Sequence, residues 1–134
     1  MKASLSAYLA SLLVFLCLDG LWLGVLMGPT YRELIGPLML DTPVWWAAIG
    51  FYLLYVVGIQ LVGVGAGLRV GRWPGAAGAS AVLGLMAYGT YDLTNLATLK
   101  GWSAELSFMD MGWGMFASAV SGTVGYFVKR KVQG

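Results

Sequence analysis

The chain has 134 residues, of which 59% are hydrophobic and only 10% are charged, with a formal net charge of +2. A soluble domain usually carries about 25% charged residues, and a small one needs them to cover its relatively large surface. The composition therefore excludes a soluble globular domain and predicts helices whose apolar faces are covered by lipid.

Four stretches of the chain are each long and apolar enough to cross a bilayer, which takes about 20 residues. They run over about 4–27, 44–68, 74–99 and 104–128. The first could instead be a signal peptide, but its apolar run is too long and no small-residue cleavage pattern follows it. We therefore predict an all-α fold, an integral membrane four-helix bundle, as a single transmembrane domain over residues 1–134 with the lipid bilayer as its partner.

The connection between the first and second stretches, Gly28–Pro43, is longer than the others. It carries apolar residues at helical spacing, namely Leu34, Ile35, Leu38 and Met39. This pattern predicts a short interfacial helix or loop, broken near Pro37 and capping the outer mouth of the bundle. The other connections are short, and Ser103 stands where it can cap the fourth helix.

The basic residues are divided unequally between the two sides of the predicted bundle. Six lie on the side of the termini, and two on the other: Lys2, Arg69, Arg72, Lys129, Arg130 and Lys131 against Arg32 and Lys100. The positive-inside rule then places both termini in the cytoplasm. Because these residues form no cluster, we expect no nucleic-acid partner.

Small residues recur every four positions in three rows. The rows are Gly20, Gly24 and Gly28; Gly63, Gly67, Gly71 and Gly75; and Gly114, Ser118 and Gly122. Such rows let helix backbones approach closely in lipid. The pattern favours packing within the chain, and a homodimer through these helix faces is the alternative.

Three acidic residues, Asp19, Asp92 and Asp110, lie inside the predicted spans, where charge is costly and usually functional. Asp19 is 8 residues from the outer end of its span, which is about 12 Å at ~1.5 Å per residue. Asp92 and Asp110 each lie nine positions from Gly101, at the centre of a tight turn. The three carboxyl groups should therefore form one layer in the outer half of the membrane.

Aromatic and polar residues share this layer. Tyr88, Tyr91, Asp92 and Asn95 occupy one helix face, and a tryptophan lies three residues from each of the other two acids. The candidate ligand-binding residues are Asp19, Asp92, Asp110, Asn95, Tyr91, Tyr88, Trp22 and Trp113. The alternative is structural, with protonated acids holding helices together by hydrogen bonds, although such bonds average only about 0.6 kcal/mol.

Metal and cofactor chemistry is narrowly limited by the sequence. Histidine is absent and Cys17 is the single cysteine, which excludes zinc sites built on His and Cys, His-ligated haem and disulfides within the chain. No cofactor motif occurs, so we expect no cofactor. Neither a catalytic residue nor a metal ligand can be assigned from the sequence.

The run Tyr91–Trp102, which reads YDLTNLATLKGW, resembles the DUF2177 family of bacterial membrane proteins. The segments around Asp19, Phe51–Tyr55 and Asp110–Gly114 fit the same family, so the resemblance covers nearly the whole chain. It implies four membrane helices in a bacterial inner membrane and implies no activity.

Three functions stay open. The first is binding or transport of a cation, a proton or a small polar or lipid-like ligand at the acidic layer, although no broken helix is evident for an alternating-access cycle. The second is a lipid-modifying enzyme in which Asp92 and Asp110 divide acid and base roles. The third is an accessory subunit of a membrane complex.

Overall fold

The computed structural model describes residues 1–26, 28–40 and 42–134, and these residues form helices and connections with no β-strand. The helices are α1 (Lys2–Leu21), α2 (Gly28–Ile35), α3 (Trp45–Gly58), α4 (Gly65–Val70), α5 (Trp73–Thr98) and α6 (Ala104–Gln133). A π-helical segment, Trp22–Leu26, continues α1, another, Ile59–Val64, joins α3 to α4, and a 3₁₀ turn, Gly36–Leu38, follows α2. The predicted all-helical fold class is confirmed.

Each stretch that the sequence predicts as a span lies in a long helix. Met27, at which the first of them ends, lies outside the described residues, and α6 runs past its predicted end to Gln133. Within the described residues, two helices are long and apolar enough to cross a membrane, Lys2–Val25 and Trp45–Val70. The helices α5 and α6 are less apolar because glycine, serine and threonine occupy many of their positions.

Local sequence explains where the helices end. The Oγ atom of Ser103 accepts a hydrogen bond of 3.0 Å from the backbone N–H of Leu106, so the predicted cap of α6 is confirmed. Gly71, with φ of +72°, ends α4 in a left-handed conformation that favours glycine. The guanidinium of Arg130 donates to the Gly71 carbonyl, which brings the end of α6 beside the α4–α5 turn. We call this end of the molecule the termini end.

Between α1 and α3, the predicted short helix is present as α2. It ends at Ile35, two residues before Pro37, where the chain leaves the helical conformation with φ of −132°. Ile35 is buried against Leu106 at the start of α6, together with Trp102 from the α5–α6 turn. This packing places α2 at the end of the molecule opposite the termini, which we call the turn end.

The distribution of side chains is the reverse of that in a soluble bundle. Serine side chains are fully buried between the helices: Ser11, Ser80, Ser107, Ser118 and Ser121. Large apolar side chains project outward along every long helix, including Leu13, Leu54, Leu61, Met86 and Phe116. In water such a surface would be unstable, whereas in lipid apolar side chains face the bilayer and small residues line the helix contacts.

Two of the three small-residue rows pack inside the chain. In the row that begins at Gly114, this residue of α6 meets Gly84 of α5 so closely that no side chain fits between α5 and α6. In the row that begins at Gly63, Gly67 lies against Ala76. Among the described residues, Gly20 and Gly24 have no atom within 4 Å of a Cβ position, and a Cβ atom on Gly28 would meet only the backbone of Leu23. The described residues therefore show no helix packed against this row, and a homodimer through it stays a prediction.

The π-helical segments were not expected from the sequence, which shows no obvious break in any span. Both occur where glycines lower helix stability, near Gly24 in the first segment and at Gly63 in the second. Segments of this kind often lie at functional sites. The first begins at Trp22, three residues after Asp19, so it belongs to the surroundings of the acidic layer.

Candidate functional site

A cavity of about 410 Å³ lies at the turn end of the molecule, between α1, α3, α5 and α6 and beneath α2. Its volume falls in the range of about 300–1,000 Å³ that is typical of small-molecule sites. The lining residues are Asp19, Leu23, Tyr31, Phe51, Ala87, Tyr88, Tyr91, Asp92, Trp102 and Asp110. All three aspartates of the predicted layer therefore border one space.

The α5–α6 turn explains how two of the acids meet. It is short, and Asp92 and Asp110 lie equally far from it, so their carboxyl groups are neighbours in the folded chain. Asp19 reaches the same level from α1. Asp92 is only 2% exposed and Asp19 only 6%, while Asp110 is half-buried.

Two of the aspartates have well-defined hydrogen-bond donors. The Tyr52 hydroxyl donates to Oδ2 of Asp19. The Tyr31 hydroxyl donates to Oδ1 of Asp110 over 2.7 Å, and the indole N–H of Trp22 in turn donates to the Tyr31 oxygen over 3.0 Å. Burial and the neighbouring Asp110 raise the pKa of Tyr31, so its hydroxyl keeps the proton that it donates. This chain ties α2 to the acidic layer.

Asp92 differs from the other two acids. Its Oδ2 atom is buried and receives no hydrogen bond from a donor in the described part of the chain, while the carboxyl group of Asp110 lies within hydrogen-bonding distance of the Asp92 side chain. The nearby Ser107 hydroxyl contacts the backbone carbonyl of Asp92 instead, over 3.4 Å. Because buried polar groups are nearly always paired and an unpaired one costs about 1–3 kcal/mol, such an oxygen on a cavity wall is available to a ligand.

Aromatic rings form much of the remaining wall. Tyr91 and Trp102 meet edge to face with ring centroids 5.5 Å apart, and Tyr88 lies deeper between the helices. Behind the wall, Trp22 and Trp113 stack with centroids 4.6 Å apart and an interplanar angle of 12°. The indole N–H of Trp113 faces Asp19 without a hydrogen bond of regular geometry. Ring faces beside carboxylates suit a positively charged group.

The structure brings together most of the residues that the sequence proposes. Asp19, Asp92, Asp110, Tyr88 and Tyr91 line the cavity, and the Trp22–Trp113 pair supports it from behind. Asn95 does not line it, because it lies one turn beyond Asp92 on α5, toward the end of the helix.

Other lining residues were missed by the sequence reasoning, above all Tyr31, Phe51 and Trp102. A signal for Tyr31 existed. Tyr31 precedes Leu34 by three residues and Ile35 by four, so it lies on the same apolar face of α2 that was expected to cap the bundle. Phe51 had no comparable signal, since it is one of many apolar residues in α3.

Among the described residues, no group of three or more His, Cys, Asp or Glu side chains converges in the way that a metal ion requires. The three aspartates border the cavity from different helices rather than meeting at a point. A hard cation such as Ca²⁺ takes six to eight oxygen ligands at about 2.3–2.6 Å.

Residues 4–127 match the family model DUF2177, described as "Predicted membrane protein (DUF2177)". The chain belongs to the DUF2177 family. The resemblance seen in the sequence is thereby confirmed, and the family description agrees with the apolar outer surface of the helices. No curated protein and no solved structure matches the chain.

Proposed function

We propose that this DUF2177 protein binds, and through binding transports, a small cationic, polar or lipid-like ligand in the cavity at its turn end. The observation that carries the proposal is the unpartnered Oδ2 atom of Asp92 on the wall of a ligand-sized cavity. A carboxyl group held only to join helices would be paired with a donor, as those of Asp19 and Asp110 are.

The proposed setting is a four-helix bundle that spans the bacterial inner membrane with both termini in the cytoplasm. Arg69, Arg72 and Arg130 lie at the termini end of the folded chain, which supports that end as the cytoplasmic one. In this orientation the cavity lies in the outer half of the membrane, with α2 on the outer surface.

Cysteine labelling tests this orientation. In a Cys17→Ala background, a membrane-impermeant maleimide should label Thr42→Cys in intact spheroplasts, because the α2–α3 connection faces outward. Gln133→Cys at the end of α6 should react only after the membrane is opened. Labelling of Gln133→Cys in intact spheroplasts would contradict the proposed orientation, and labelling of neither until lysis would contradict an outward-facing connection.

Ligand binding at Asp92 can be measured through the tryptophan in the cavity wall. In purified protein in dodecyl maltoside, we expect saturable changes in tryptophan emission with at least one of three probes: Mg²⁺, tetramethylammonium and octyltrimethylammonium. The Asp92→Asn variant keeps the shape of the side chain but cannot carry a negative charge. It should weaken binding of that probe by about ten-fold or more, as expected for a buried charged contact.

The matched control is Glu105→Gln, which removes an exposed carboxylate in the first turn of α6, outside the cavity wall. Its affinity should equal that of the wild type. Absence of saturable binding by all three probes, or equal affinities in the Asp92→Asn and wild-type proteins, would overturn the proposed site.

A lipid-modifying enzyme is the second candidate, and one observation favours it: Asp92 and Asp110 are adjacent. Two neighbouring carboxyl groups in different surroundings can divide acid and base roles. Asp110 has a fixed donor in Tyr31 while Asp92 has an unpartnered oxygen, so their surroundings do differ. A lipid incubated with the purified protein would then be chemically changed, and the change would be lost with the Asp110→Asn variant. This result would favour the enzyme.

A further inference from the structure

The helices α3 and α5 diverge toward the turn end. In the termini half, α5 packs closely against the π-helical segment Ile59–Val64 and against α4. In the other half, α3 packs against α1 and has few close backbone contacts with α5, although both helices are fully described. Tyr55 and Tyr88 bridge the floor of the gap, edge to face, with ring centroids 6.3 Å apart. Above them a cleft separates the two helices.

The cavity opens sideways through this cleft. Three of its lining residues are substantially exposed, namely Phe51 at 44%, Tyr91 at 51% and Leu23 at 45%. Their exposed surface is continuous with the apolar outer faces of the helices, where Leu54 also projects outward. In a bilayer this side of the molecule faces hydrocarbon rather than water, so the opening favours a ligand with an apolar tail.

The closed end of the cavity has the opposite character. Asp19, Asp92 and Asp110 contribute three carboxyl groups, and none of the described residues that line the cavity is a lysine or an arginine. The tyrosine and tryptophan rings beside them offer faces and hydroxyl groups. A positively charged head group is complementary to both features, whereas an anionic or purely apolar molecule would leave the carboxyl groups unmatched.

We infer that the site takes a cationic amphiphile: an ammonium head group held among the three aspartates, with an alkyl chain that leaves the cavity between α3 and α5 into the membrane. This inference rests on the proposed function, since it names the class of ligand for the same cavity. An inorganic cation would not use the aromatic wall, and a head group without a chain would not use the lateral opening.

Alkylammonium probes of increasing chain length test the inference, again by tryptophan emission of the protein in dodecyl maltoside. Octyltrimethylammonium should bind about ten-fold or more tightly than tetramethylammonium, because its alkyl chain buries additional apolar surface in the cleft. It should also bind about ten-fold more tightly than octyl glucoside, which has the same chain and no charge. The Asp92→Asn variant should remove the second difference.

A variant with an obstructed opening distinguishes binding of the alkyl chain in the cleft from partition of the probe into the micelle. Ala87→Phe places a large ring in the cavity wall. It should weaken the binding of octyltrimethylammonium far more than the binding of tetramethylammonium. Ala97→Phe, on an exposed part of the same helix, is the matched control and should change neither affinity.

The results distinguish this inference from the proposed function. If tetramethylammonium or Mg²⁺ binds as tightly as the octyl compound and its binding depends on Asp92, the inferred amphiphilic ligand is wrong. The proposed binding site is then still supported. If octyl glucoside binds as tightly as octyltrimethylammonium, the inference that the ligand has a positively charged head group is wrong. If no probe binds saturably, both fail.

Discussion

Replacing Gly114 by leucine should lower the free energy of unfolding by about 3 kcal/mol, at the upper end of the range for overpacking a helix contact. A Cβ atom on Gly114 would lie 2.3 Å from Cγ of the Tyr88 ring, and a Cβ atom on Gly84 would lie 2.3 Å from the Gly114 carbonyl oxygen. A leucine at this position can therefore be accommodated only if the Tyr88 ring is displaced or the two helices move apart. Because Tyr88 lines the cavity, the variant should lose ligand binding as well as stability.

Gly112 provides a matched control two residues away on the same helix. A Cβ atom there meets no described atom within 4 Å, so Gly112→Leu should leave stability unchanged or raise it by up to about 1 kcal/mol through better helix propensity. Stability can be measured by titration with sodium dodecyl sulfate in mixed micelles, followed by helical circular dichroism. Equal losses for the two variants would contradict the close α5–α6 contact.

A compensating change sharpens the test. Combining Gly114→Leu with Tyr88→Ala removes the ring that the leucine would strike, so part of the lost stability should return. Tyr88→Ala also removes a ring that packs against the core, so recovery should be incomplete. If the double variant is less stable than both single variants, the leucine does not clash with the Tyr88 ring.

The acidic layer could be predicted from the sequence because helix geometry is regular. A fixed rise per residue and a tight turn at Gly101 suffice to bring Asp92 and Asp110 level, and the structure places them side by side. Small residues predicted the α5–α6 contact for a similar reason, since rows such as Gly114–Ser118–Gly122 leave room for a backbone.

The shape of the cavity could not be predicted in the same way. It depends on the divergence of α3 from α5 and on the folding back of α2, both of which follow from long-range packing rather than from periodicity. The hydrophobic pattern of Phe51 gives no sign that its ring faces a cavity. The π-helical segments likewise keep the apolar composition of an α-helix, so composition alone does not reveal them.

Asp92→Leu should raise the free energy of unfolding by about 1–3 kcal/mol while abolishing binding of the cationic probe. The wild-type carboxyl group is buried with one oxygen unpartnered, and removing an unpaired polar group from lipid is favourable. Asp92 also borders the cavity, so there is space for the larger leucine side chain. A gain in stability with a loss of function is typical of a residue retained for its activity.

Asp110→Leu is the informative counterpart, because the carboxyl group of Asp110 accepts the hydrogen bond from Tyr31. Its removal leaves the half-buried hydroxyl group of Tyr31 without an acceptor, which should lower stability by about 1 kcal/mol. The two leucine variants, measured by the same detergent titration, should therefore shift stability in opposite directions. If Asp92→Leu instead destabilises the protein as much as Asp110→Leu does, the Asp92 carboxyl group is paired with that of Asp110. The acidic layer would then hold the helices together rather than bind a ligand.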